Sequence, residues 1–334
     1  MFKIEYNEVF IIMRIVGLGS CLPSDKRASA DFDDALGLCA GHLERTTGVA
    51  TRHYCGPGED QLTMGIAAAQ AALADAGLTG ADIDLIVGAA AVPYQPIPAT
   101  APAYQRGLGI ADGSAFAFDV NSTCLGFLTA LETSDALLAA GRYKRALIIS
   151  SEVASRGLAW DTRPEVAGLF GDGAAAAVVE HEPGALQTRF RTYAGSYGAC
   201  GIGAGGTRFD FATQADQFAA HSLFDMDGKE LFRITAKYFV SFVDDLLGQA
   251  GWTKDAVDLV VPHQASPMAL THMIRQCGFD PDKVVDISRD VGNQIAASIP
   301  FALCHAQDRL FRGAKVLFLG TSAGVSFGGG ALVY

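Results

Sequence analysis

Apolar positions along the chain fall into two alternating periods. RIVGLGSCLP (14–23), AFAFDV (115–120), KRALIISSE (144–152), FGDGAAAAVV (170–179), DLVVP (258–262), AKVLFLGTSAG (314–324) and FGGGALVY (327–334) are dense apolar runs or strict alternations. They predict strands, many of them buried on both faces. Elsewhere the spacing turns helical: Leu128, Leu131, Ala136, Leu137 and Leu138 follow Leu125, and Ile295, Ile299, Leu303 and Ala306 share one face further on. Strands alternating with amphipathic helices predict an α/β body.

The pattern also repeats. LADAGLTGADIDLIV (73–87) and LGQAGWTKDAVDLVV (247–261) match at one offset of 174. KRALIISSE pairs with AKVLFLGTSAG, and FGDGAAAAVV with FGGGALVY, in the same order along each half. The expectation is a duplicated α/β unit, 13–182 and 183–334, after an extension at 1–12 that has no role in chemistry. Two such halves would stack their sheets around central helices as α/β/α/β/α layers. The glycine-rich segment 198–218 reads as a surface or active-site loop.

Composition narrows the function. The 334 residues are half hydrophobic and only 18% charged, with 38 glycines, which suits a large packed enzyme. A net charge of −11 argues against non-specific nucleic-acid binding. MFKIEYNEVFII carries Glu5 and Glu8 and is too short to span a bilayer, so neither signal peptide nor membrane insertion is expected. Seven cysteines at wide gaps, with no CxxC pair, indicate neither a zinc site nor a disulfide framework and fit a reducing, cytoplasmic compartment.

Candidate chemistry lies where strands end and helices start. DVNSTCLGF puts Cys124 at a helix N-terminus, where free N–H groups and the dipole favour a thiolate. DLVVP runs into HQAS, so His263 ends a buried strand, and DVGNQIAAS puts Asn293 near a helix start that mirrors the place of Cys124 in the other half. A two-fold relation would bring the three together: a nucleophile with a lowered pKa, and two N–H donors for the oxygen of a thioester enolate. Each residue alone also has a plain reading, as a buried small hydrophobe, a satisfied strand-end histidine and a helix cap respectively.

The motifs TTGVATRHY (46–54), FDVNSTCLGF (118–127), LFGDGAAAAVV (169–179), MDGKELFRITAKYF (226–239), VPHQAS (261–266) and VGNQIAAS (291–298) make the chain resemble the thiolase superfamily. Within it, the chain resembles the 3-oxoacyl-[acyl-carrier-protein] synthase III group. The resemblance runs from about Met13 to Tyr334. It implies a duplicated five-layer fold, a homodimer, and a Claisen condensation without metal or redox cofactor. Cys124 would take an acyl group from a coenzyme A thioester. His263 and Asn293 would hold the enolate left when malonyl-acyl carrier protein loses carbon dioxide. The N–H groups of Cys124 and Ala323 would form the oxyanion hole.

The chain departs from the family pattern at several positions. Where the group often has a tryptophan and an arginine for coenzyme A, this chain has His42 and Thr46, which leaves Arg163 as the expected contact. HQASPM, with Ser266 and Met268, replaces HQAN and its following arginine. Lys229, Arg233 and Lys237 then form the expected carrier-protein stripe, four residues apart. Ile97 stands where acetyl-specific members often have a bulky aromatic reaching into the partner's pocket, which implies a medium-chain primer. The rivals are head-to-head condensation of two acyl thioesters, acyl transfer without decarboxylation, and a non-catalytic acyl- or carrier-binding subunit. A degradative thiolase would need a second cysteine after Cys304, and there is none.

Overall fold

A computed structural model describes residues 13–181 and 186–334. The expected extension at 1–12 and the expected boundary at 182/183 lie outside the described residues. The first sheet contains β1 (Met13–Cys21), β2 (Leu85–Gly88), β3 (Phe116–Asp119), β4 (Arg145–Glu152) and β5 (Gly173–His181), in the order β1-β5-β4-β2-β3. The second contains β6 (Leu186–Thr192), β7 (Leu259–Pro262), β8 (Lys315–Ser322) and β9 (Ser326–Val333), in the order β6-β9-β8-β7. The four strands of the second sheet correspond in order to β1, β5, β4 and β2 of the first, and β3 has no counterpart. In each sheet the first two pairings are antiparallel and the third is parallel.

Three separate apolar layers explain why the strands read as continuous apolar runs, since successive side chains enter opposite faces. Ile86, Leu147, Ile149, Ala174 and Ala176 pack under α1 (Gln61–Asp75). Their neighbours Leu85, Val87, Ala146, Ile148 and Ala175 face α2 (Gly126–Ala139) and, with Val261, Val316 and Phe318 of the second sheet, enclose the central layer. Leu317, Leu319 and Phe327 point the other way, onto α3 (Gly228–Ala250) and α4 (Pro267–Cys277). The central layer is completed by α5 (Ser298–His305), whose Ile299 and Leu303 are fully buried. The result is the α/β/α/β/α stack expected from the sequence.

The register confirms the duplication and corrects two details. Gly88 pairs with Ile149, and Pro262 with Leu319, so the first repeat keeps its offset of 174. The next residues repeat it: Ala89 N–H donates to Ile149 O at 2.9 Å and His263 N–H to Leu319 O at 2.7 Å. In the third repeat, however, Ile149 faces Ala176 while its counterpart Leu319 faces Gly329. FGDGAAAAVV and FGGGALVY are therefore equivalent strands matched four residues out of step. Repeated glycine and alanine make such a slip invisible in sequence.

The second detail concerns Asn293. A short 3-10 turn, Thr123–Leu125, leads into α2 at Gly126, and an equivalent turn, Ile295–Ala297, leads into α5 at Ser298. Thr123 and Ile295 both adopt left-handed backbone, with φ of 54° and 51°. The counterpart of Cys124 is thus Ala296, and Asn293 corresponds to Asn121. Both asparagines close the same turn: Thr123 N–H donates to Asn121 Oδ1 at 2.9 Å and Ile295 N–H to Asn293 Oδ1 at 2.8 Å.

Candidate active site

The two turns meet at the middle of the molecule. A Cβ added to Gly126 would lie 3.3 Å from that of Ala296, so only a small residue fits where α2 begins. Gly320 in β8 serves the same close approach, since a Cβ there would lie 2.8 Å from Leu125 Cδ2 and 3.4 Å from His263 Cβ. The Cys124 turn and the histidine therefore pack against one glycine. Asn293 reaches the same place, donating from Nδ2 to Ala265 O, two residues beyond His263, at 3.4 Å. Ser322 Oγ–H donates to Ser122 O at 2.8 Å and ties the C-terminal turn to the Cys124 turn. The segments that carry Cys124, His263 and Asn293, remote in sequence, thus pack against one another.

Around the Cys124 sulfur, two backbone N–H groups, those of Cys124 itself and of Ala323, act on the thiol. Ala323 owes its position to the turn between β8 and β9, where Gly324 has a φ of 126° that other residues rarely adopt. The expected low thiol pKa is not found. Burial pushes the thiol up to about 12, Cys200 and Glu152 push the same way, and the two N–H groups only partly oppose them. Desolvation outweighs the helix terminus, so the resting sulfur is a neutral thiol.

His263 is buried and burial lowers its pKa to about 4, so it is neutral near pH 7. Its Nδ1 lies 2.5 Å from Ser298 Oγ, and the same oxygen takes a longer bond, 3.4 Å, from the N–H of Gln264. With that N–H on one lone pair, the serine hydroxyl is placed to donate to Nδ1. That arrangement leaves the ring proton on Nε2 as a donor. Asn293 Oδ1 is occupied by Ile295 N–H, which orients the amide nitrogen; one of its two N–H groups makes the long bond to Ala265 O and the other is left as a donor.

Two polar residues of this centre went unassigned in the sequence reading. Ser298 closes the VGNQIAAS motif, yet nothing in the spacing says that its hydroxyl meets His263. Glu152 ends KRALIISSE. It is buried, its Oε1 accepts from Ala91 N–H at 2.6 Å, and burial raises its pKa to about 8. A carboxyl at the end of an apolar run was the one available signal.

The remaining residues lie further out. Ser266 caps α4, accepting from Ala269 N–H at 3.1 Å. Arg163 forms an ion pair with Asp225 and donates to Met226 O at 2.8 Å, which fastens its loop to the Cys200–Gly201 and Asp225–Met226 ribbon. His42 pairs with Glu165 at 3.1 Å. Lys229, Arg233 and Lys237 are exposed on α3, but Glu230 already binds Arg233, at 2.6 Å, and Lys237 lies over the Tyr238 ring. Ile97 is 87% exposed, on a loop that points away from its own chain's core.

Comparison with known proteins places this geometry. Residues 118–198 match the family description 3-oxoacyl-[acyl-carrier-protein (ACP)] synthase III, and residues 247–334 match its C-terminal counterpart. A β-ketoacyl-[acyl-carrier-protein] synthase III of Rhodospirillum rubrum is 36% identical over 321 residues, covering 94% of this chain and 97% of that protein. The crystal structure of 3-oxoacyl-[acyl-carrier-protein] synthase III from Aquifex aeolicus superposes with a TM-score of 0.85 at 29% identity, covering 96% of this chain and all of that one. The priming β-ketosynthase of the R1128 polyketide biosynthetic pathway superposes at 0.86 with 26% identity, covering 96% of each chain. The chain therefore belongs to the 3-oxoacyl-[acyl-carrier-protein] synthase III family, the acyltransferase-type condensing enzymes of fatty-acid biosynthesis.

Proposed function

We propose that the chain condenses an acyl-coenzyme A primer with malonyl-acyl carrier protein through an acyl–Cys124 intermediate. In the first step the thiol attacks the thioester carbonyl, the oxyanion lies against the N–H groups of Cys124 and Ala323, and the thiol proton leaves with the coenzyme A sulfur. In the second, malonyl loses carbon dioxide. The electron pair left on carbon is held as an enolate by donors from His263 Nε2 and Asn293 Nδ2, and attacks the acyl carbonyl. The tetrahedral intermediate expels the Cys124 sulfur, which regains a proton as the 3-oxoacyl product departs. Preorganised donors of this kind are worth about 3 kcal/mol each.

The observation that carries this reading is the division of donors between the two halves. Backbone N–H groups face the sulfur, while a neutral histidine and an oriented asparagine approach from the opposite unit. Neutral donors suit an enolate, because their hydrogen bonds strengthen as charge develops. Coenzyme A and carrier protein are substrate and partner, with Arg163 and Ser266 near the entrance and Lys229, Arg233 and Lys237 on the carrier side. The active form is a homodimer in the cytoplasm that uses no metal or redox cofactor. Ile97 enters the partner's acyl pocket, and its modest bulk favours a medium-chain primer.

The test separates the two steps. Cys124→Ser is expected to show no acyl adduct by intact mass after incubation with octanoyl-coenzyme A. Asn293→Ala is expected to keep the adduct and lose carbon dioxide release and 3-oxo product by at least about a hundredfold. Equal loss of both steps in both variants would refute the assignment of roles. Comparable kcat/KM for acetyl- and octanoyl-coenzyme A would refute the primer length.

A further inference from the structure

Glu152 takes no part in the steps above, yet it is a buried carboxyl beside the nucleophile. Its Oε1 accepts from Ala91 N–H at 2.6 Å and, across the pseudo-dyad, from Ala296 N–H at 3.4 Å. Ala91 O in turn accepts from Asn121 Nδ2 at 2.8 Å, and Asn121 Oδ1 accepts from Thr123 N–H, the residue just before Cys124. A continuous path thus runs from the carboxyl to the left-handed residue that sets the Cys124 turn. Ser322, the counterpart of Glu152 in the other half, also reaches across, donating to Ser122 O. The two strand ends brace each other's turns, and only one of the braces is ionisable.

We propose that Glu152 is a positioning residue whose charge state governs the reactivity of the Cys124 sulfur. This inference rests on the reading of Cys124 as the nucleophile. As a neutral acid Glu152 holds both turns without adding charge. Once ionised, it sets a negative charge in a poorly solvated centre and opposes formation of the thiolate. The groups that face it are Cys124 itself, Asp172 just before β5, and Tyr104 of helix Ala101–Gly107; Cys200 faces the sulfur from the ribbon. None of these is cationic, so an ionised Glu152 is opposed only in part, by the backbone N–H groups of Ala91, Ala296 and Val92. The raised pKa of the carboxyl, about 8, agrees with that surrounding.

The experiment is alkylation of Cys124 by iodoacetamide between pH 6 and pH 10, followed on the Cys124 peptide by mass spectrometry, in wild type and Glu152→Gln. Glutamine keeps a carbonyl acceptor for Ala91 and Ala296 and removes the ionisation. The expected result is equal rates at pH 6 and a rate at pH 9 about tenfold higher in the variant, corresponding to a thiol midpoint about one unit lower. Superimposable pH profiles would overturn the proposal, as would a change of the same size at pH 6 and pH 9, which a purely structural role would give. If Glu152→Gln does not fold, the wild-type profile decides. Two coupled ionisations support the proposal and a single-step curve overturns it. Because alkylation needs no acyl substrate, this outcome is independent of whether the condensation reading holds.

Discussion

The proposed mechanism uses His263 as an uncharged donor, and the burial that keeps it uncharged has a cost that can be measured. Its folded pKa lies near 4, below the ordinary 6.5. The stability this neutral form contributes is complete above pH 6.5 and is lost as pH falls through 4, because the unfolded chain binds the proton first. A shift of this size corresponds to an order of 3 kcal/mol. His263→Gln is therefore expected to flatten the fall in urea-unfolding stability between pH 7 and pH 4.5 relative to wild type; an unchanged slope would disprove the assignment. Ser298 acts on the same ring. Ser298→Ala removes the hydroxyl bonded to Nδ1 and frees the ring to take the other tautomer. Condensation is expected to drop about ten- to hundredfold while acylation of Cys124 stays within about threefold, as read by intact mass and carbon dioxide release.

At the scale of elements, close backbone approach fixes the layers. A Cβ on Gly19 of β1 would lie 2.3 Å from Ala68 O and from Ala72 N of α1, contacts that no side-chain rotation relieves. Gly19→Ala is expected to lever α1 off the sheet at a cost of about 2 kcal/mol or more, lowering Tm by several degrees without changing acylation per folded molecule. Much of this architecture was legible in the sequence. Doubly buried strands show as unbroken apolar runs, and the 174-residue repeat follows the real register of β2 and β7. Where a strand carries a run of glycine and alanine, as at GAAAA in β5 and GGGA in β9, nothing marks the register, and the match slips. Asn293 was placed opposite Cys124, although its true counterpart is Asn121, because two helix starts of different sequence give no common landmark until the left-handed turns are seen. Ser298 and Glu152 stayed hidden for a related reason. Which way a polar side chain turns at a strand or helix end depends on the partner element. The thiol's raised pKa was missed because the helix terminus is visible in sequence and desolvation is not.

For the whole molecule, four of the exposed apolar residues belong to β3 and the loop after β2. Val92, Tyr94 and Ile97 lie on the loop after β2, and Phe116 starts β3, the last strand of the first sheet; each is between 43% and 87% exposed. Exposed apolar residues beside an uncovered sheet edge support the homodimer that the family resemblance implies. Sedimentation is expected to give twice the mass of the chain. Phe116→Lys should shift the protein toward monomer and, with Ile97 withdrawn from its neighbour, loosen the discrimination between short and medium primers. A monomeric wild type at micromolar concentration would rule out this arrangement.

Ala296 stands where its sister unit carries sulfur, and that single methyl makes a symmetrical scaffold chemically one-sided. The inherited frame survives twice, with the same tight turn and the same asparagine latch, yet the proposed mechanism would load only one copy covalently. The other copy, with no acyl chain to hold, would then offer its amide and imidazole to the incoming carbon nucleophile. Bond making would thus run in one direction across the seam between the duplicates, from the unit that never carries cargo toward the loaded one.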